Sequence, residues 1–229
     1  MLDPAAGWYV RSAAGRILAI ANDGKAASAL VNQFFQQEER ADLWETALTI
    51  ENLDDATVLL PLIRALEDAN LQRRHAAARA LGWNRMSGSR EARALVRILT
   101  DAAQPQFIRA EAAESLAYLY YVPSIPALIS ALSDPDADIR FWSVFALGSI
   151  GHGVHEADRH VVSALEARLA DDAVPSGNWW SIAREALAML GGMNPAMEQY
   201  QERLAREAQR VLDDPNSSRV DRRWAESHS

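Results

Sequence analysis

The chain contains no cysteine, which excludes disulfides, thiolate metal sites and cysteine nucleophiles together and fits a reducing compartment. Basic residues are not in excess either. Lys and Arg number 23 against 31 Asp and Glu, a net charge of −8, so there is no strongly basic stripe to track phosphates and no nucleic acid is expected as ligand. Long hydrophobic runs are missing as well. The start, Met1-Leu2-Asp3-Pro4, carries no basic region, and Ile17 to Ala21 is too short for a signal core or a membrane span. A cytoplasmic protein without membrane attachment is expected. There is no Gly-x-Ser-x-Gly and no Gly-x-x-x-x-Gly-Lys phosphate loop, and Asn22-Asp23-Gly24-Lys25 reads as a turn. Strand-like alternation is absent throughout, which predicts an all-α chain.

What is present is a repeat. Of the 229 residues 49% are hydrophobic, ample for a core. An aliphatic residue, an Arg, a run of small residues, then Leu and a small residue recur. The copies are Val10-Arg11 to Leu18-Ala19, Arg74-His75 to Leu81-Gly82, Ile108-Arg109 to Leu116-Ala117, and Ile139-Arg140 to Leu147-Gly148. The arginines at 74, 109 and 140 lie 35 and 31 residues apart, within or near the range for helical-hairpin repeats. Each of these three is preceded by an amphipathic run: Leu59 to Leu66, Ala94 to Leu99, and Ile125 to Leu132. Acidic and proline-bearing turns separate them, such as Asp101 to Pro105 and Ser133-Asp134-Pro135-Asp136. The unit is helix, turn, helix.

Two divergent copies, Ala29 to Leu48 and Val161 to Leu190, extend the array. The expected architecture is a right-handed α-solenoid of about six hairpins: a half repeat over 1–22, hairpins over 25–192, a capping helix over 195–212 and a flexible polar tail over 213–229.

The pattern Pro-x-Leu-Ile-x-Ala-Leu followed by Ile-Arg and Ala-Leu-Gly, clearest in Ile125 to Gly148, resembles the HEAT-repeat family, and especially its short phycobilisome-lyase-like subtype. The resemblance covers most of 25–192. It implies the solenoid fold and does not choose among functions, because similar chains include chromophore lyases, a di-iron hydroxylase and bacterial scaffolds.

Several residues stand out as candidates. Arg11, Arg74, Arg109 and Arg140 fall at equivalent places and are expected to pair with acidic turns, Asp68, Asp101, Asp134 and Asp136 among them. Phe141 and Phe145 occupy positions held elsewhere by His75 and Arg79, Ala110 and Glu114, or Ser12 and Arg16. That places an i, i+4 aromatic pair on the exposed face of the second helix, unless Trp142 rotates the helix and buries one of them. Trp179 and Trp180 are expected to extend the patch, with His75 and Arg79 on the same partner-binding surface. His152, His155, Glu156 and His160 form the one group with metal-ligand chemistry. Their spacing fits no ligand motif, so no metal and no cofactor are expected. The reading is a non-catalytic scaffold that binds a protein partner on its concave face, with homo- or hetero-oligomerisation open. The alternative, implied by resemblance alone, is a lyase-like or chaperone-like protein handling a tetrapyrrole or another prosthetic group and its acceptor.

Overall fold

The computed structural model describes residues 24–152, 159–177, 180–193 and 198–229. The half repeat expected over 1–22, with Arg11, lies outside them. The chain divides into two compact units, 1–119 and 120–229, and the described residues of both are helices joined by turns.

Unit 1 holds three hairpins: α1 (Gly24–Gln36) with α2 (Arg40–Ile50), α3 (Leu59–Ala65) with α4 (Leu71–Trp83), and α5 (Ser89–Thr100) with α6 (Gln106–Leu119). Unit 2 holds α7 (Ile125–Ala131) with α8 (Ala137–His152), α9 (Arg159–Glu166) with α10 (Ile182–Met193), and α11 (Glu198–Asp213) with α12 (Arg219–Glu226). The hairpins start and stop where the turn residues dictate. Asn70 accepts from the backbone N–H groups of Gln72 and Arg73, and Asp136 from those of Asp138 and Ile139, so each opens a second helix. Pro61 and Pro126 lie in the first turns of α3 and α7, where a missing N–H costs little.

The first helices bury one stripe, as in α5, where Ala92, Leu95, Ile98 and Leu99 are inside and Arg90, Arg93 and Arg97 outside. Second helices are different. In unit 1, α4 packs on α3 and also against both α2 and α6; in unit 2, α8 packs on α7 and against α10. Being flanked on several sides, they bury several faces, which explains the run of buried Ala76, Ala77, Ala78 and Ala80 in α4. At Gly82 the helices come so close that a Cβ would overlap Ser115 of α6, whose hydroxyl donates to the Ala78 carbonyl at 3.0 Å.

Polar clamps tie hairpin to hairpin. Arg73, 6% exposed, stands in the column where α6 and α8 bury Ile108 and Ile139. It donates to Asp68 at 2.8 Å and to the Gln37 carbonyl at 2.6 Å, and it pairs with Glu38 at 3.1 Å. These bonds satisfy a guanidinium that burial would otherwise penalise. Asn84 donates to the carbonyls of Ile50 and Leu53 at 2.8 and 3.1 Å. Of the expected arginine ladder, Arg140 pairs with an acidic residue, Asp171, at 2.9 Å. Arg109 donates to the Leu99 carbonyl at 2.9 Å and Arg74 to the Gln104 side chain at 2.8 Å, so in the second hairpin the Asp68 pairing shifts one residue, to Arg73.

The tail expected to be flexible is folded. Ser218 caps α12 by accepting from the Asp221 N–H at 3.1 Å. Trp224 is fully buried with Ala208, Val211 and Ala225, flanked by Trp180, Leu204 and Leu212. One large indole gives an otherwise polar helix an anchor against α11. The cap expected as a single helix is thus a sixth hairpin.

Candidate functional site

In unit 1 the second helices align their stripes side by side. On α2 the stripe carries Trp44, with Glu51 just past its end; on α4 it carries His75, Arg79 and Trp83; on α6 it carries Phe107, Glu111, Glu114 and Tyr118. Each set has the i, i+4, i+7 or i+8 spacing of one helix face. Across the helices the rings form two groups: Trp44 to His75 at 5.0 Å between centroids and His75 to Phe107 at 5.1 Å, and Trp83 to Tyr118 at 3.9 Å. The Arg79 guanidinium lies 5.2 Å from the Trp44 ring and 4.5 Å from that of Trp83, a double cation–π contact.

Carboxylates surround this cation. Glu51 is 3.7 Å from Arg79, an ion pair too long for a hydrogen bond. Glu111, 7% exposed, places Oε2 at 3.0 Å from His75 Nε2, while its Oε1 has no hydrogen-bond partner. The Glu51 Oε2, Arg79 Nε and Trp83 Nε1 atoms are likewise buried without one. Burial pushes the Glu51 carboxyl up to about 7, Arg79 opposing and the Glu111 charge adding to the rise. Burial does the same to Glu114, also to about 7, with Glu111 adding and Arg79 opposing. Unpartnered buried polar atoms gathered on one face mark a place where hydrogen-bonding capacity is held in reserve.

In unit 2 the expected patch is reorganised. Phe141 is 2% exposed and belongs to the core; Phe145 and Trp142 are half-buried. Of the two placements open for Phe141, the buried one is found, because its column meets the neighbouring second helix. Ala110, in the same column of α6, is buried too. The rings of Trp180, Phe141, Trp142 and Phe145 run in sequence, at 6.5, 5.2 and 5.7 Å between centroids. Trp180 precedes α10 rather than starting it, and its indole N–H donates to Glu185 at 2.6 Å. Burial raises Glu185 to about 7 against that bond. Trp179 lies outside the described residues.

Beside this row is a cavity of about 770 Å³ walled by Trp180, Val174, Leu187, Arg184 and Arg206. Arg184 spans it by pairing with Glu207 and Asp221. His160 is exposed and lines a shallow apolar depression with Ile125, Ile129 and Ala164. His155, Glu156 and the His152 side chain lie outside the described residues. Among the described residues no group of three His, Asp or Glu is placed to hold a metal, and no helix is long and apolar enough to cross a membrane.

Residues 103–182 match the family model for HEAT repeats. Solved structures with the same fold include an engineered protein, 19% identical, with a TM-score of 0.53 over 88% of this chain and 94% of that one. A second is the complex of CpcE and CpcF of phycocyanin lyase from Nostoc sp. PCC7120, 17% identical, with a TM-score of 0.55 over 99% and 91%. A third is a designed armadillo repeat protein in complex with the peptide (KR)4, 18% identical, with a TM-score of 0.51 over 87% and 96%. A comparison with curated proteins finds no match. The chain is an all-α protein of the α-solenoid class, and residues 103–182 of it are similar to HEAT repeats.

Sequence reasoning reached His75 and Arg79 but missed Trp44, Trp83, Glu51, Glu111 and Glu114. The available signal was the helical spacing within each second helix, read down equivalent columns of successive copies.

Proposed function

We propose that the protein is a binding scaffold whose partner is another protein, held on the second-helix face of unit 1. The observation that carries this reading is the row Trp44, His75, Phe107, with Arg79 between Trp44 and Trp83. Tryptophan and arginine at the centre of a surface, ringed by polar groups, have the composition of interface hot spots. A repeat fold whose stabilising contacts run between neighbours leaves such a face free for a ligand. The fold is shared by a designed armadillo protein that is complexed with a peptide. Phe107 is 40% exposed and offers an apolar contact at the edge of the row. The patch once expected at Phe141 and Phe145 is secondary, because the first of these is structural.

The test is affinity capture from native lysate with the full chain and with Trp44→Ala and Phe107→Ala forms whose melting temperatures match the parent. A partner retained by the parent and lost from both variants supports the reading. Equal recovery by all three forms disposes of it.

A further inference from the structure

Three glutamates and one arginine meet in the row described above, and the imbalance points to the chemistry of the ligand. Glu51 from the end of α2 and Glu114 from α6 both feel Arg79, and the Glu111 charge acts on both of them. His75 on α4 is engaged with Glu111 Oε2. One guanidinium is therefore set against three carboxyl groups. Oε1 of Glu111 is buried with no donor, Oε2 of Glu51 is held only by its long ion pair with Arg79 at 3.7 Å, and Glu111 is more than nine-tenths buried. Acceptors of this kind are costly to leave unsatisfied and gain most from a charged donor. The surrounding rings present π-faces that attract a cation and repel an anion.

We propose that this face binds an arginine or lysine side chain from a basic segment of the protein partner, with the aromatic row as its walls and Glu51, Glu111 and Glu114 as its counter-charges. The proposal rests on the reading of this face as a protein-binding surface and adds the chemistry it selects. A guanidinium carries five N–H donors and an ammonium three, so either can supply a donor to the open Glu111 oxygen and strengthen the weakly held Glu51 carboxylate while stacking on an indole. Arg79 already shows that a guanidinium is accommodated between Trp44 and Trp83. A neutral peptide brings no charged donors, and an acidic one also meets a negative field.

The experiment uses the full chain and fluorescence anisotropy with a labelled octapeptide of alternating Lys and Arg. A Glu-Asp octapeptide and free arginine are the comparison arms. Because a chain of net charge −8 attracts basic peptides everywhere, two triple variants are compared. One carries Glu51→Gln, Glu111→Gln and Glu114→Gln; the other carries Glu39→Gln, Glu67→Gln and Glu226→Gln, all three at exposed positions, and at pH 8.5, above the range in which Glu51 and Glu114 titrate, removes the same charge elsewhere.

The expected result is binding of the basic peptide alone, weakened by about tenfold or more in the first triple and by much less in the second, the size expected when charge-assisted hydrogen bonds are lost. Glu114→Gln alone, at a half-buried position, serves the same comparison if the triple melts early. Equal weakening by both triples, or equal binding of the acidic peptide, overturns the proposal. So does displacement of the peptide by free arginine at equal residue concentration, which would make the ligand a small cation. Loss of partner capture in Trp44→Ala alongside an indifferent Glu triple would leave the scaffold reading standing and sink this one.

Discussion

A carboxyl group buried without a close cation finds a proton the readiest counter-ion, and this governs how Glu51, Glu114 and Glu185 respond to pH. All three rise to about 7 chiefly through burial, so between pH 4.5 and 7 the folded chain holds protons that the unfolded chain has released. Stability falls as pH rises through that window. The groups shifted the other way, among them Glu38, Glu91, Glu207 and Asp221, act only as pH drops towards and below their ordinary values, where their stabilisation is lost. The melting temperature is therefore expected to be higher at pH 5.5 than at 7.5, with about 2–4 °C for each kcal/mol. Glu51→Gln and Glu114→Gln should flatten that slope. A native melting temperature that is level or rising from 5.5 to 7.5 contradicts the assignment. Phe141 and Phe145 give a second residue-scale contrast. Phe141→Ala empties a core position and should cost about 3–5 kcal/mol in urea unfolding, whereas Phe145→Ala, half-buried, should cost clearly less. Equal losses would mean that the two rings share one environment.

At the scale of the element, α12 shows what one large side chain does for a polar helix. Its sequence, Arg219 to Glu226, has little but Trp224 and Ala225 to bury. Trp224 nonetheless closes the apolar cluster of α11, and Arg184 lies over its ring at 5.3 Å while pairing with Asp221. Trp224→Ala should lower unfolding free energy by about 3–5 kcal/mol. It should also release amide-exchange protection in α12 and along Ala208 and Val211 of α11, and exchange unchanged in α11 would mean that α12 is only an adornment. This helix was illegible as such in the sequence because composition reports average polarity and a single Trp barely moves the average. The hairpins over 59–152 were legible because their spacing, caps and prolines agree at every copy. The placement of Phe141 was illegible for a different reason. Comparing copies identifies a column, but whether that column meets solvent depends on the helix lying beside it, as buried Ala110 in the same column already indicates.

Over the whole molecule, the repeat was legible and the candidate site only in fragments, because its members come from three helices. His75 lies 36 residues from Glu111, and Trp44 lies 31 from His75. Periodicity reports the face each residue occupies, while lateral packing decides which side chains meet. That separation of framework from site also distinguishes two sources of attraction for a basic partner. The net charge of −8 acts through solvent and is screened beyond about 10 Å at 0.1 M salt. The buried oxygens of Glu51 and Glu111 act at hydrogen-bond distance in a poorly screened setting. Raising salt from 50 to 300 mM should therefore weaken binding of the Lys-Arg octapeptide to the native chain and to the Glu51/Glu111/Glu114 triple in parallel, leaving the ratio of their affinities nearly constant. Titrations across that range decide the matter. A ratio that collapses towards one as salt rises would assign the glutamates to the diffuse field of the molecule and not to a site.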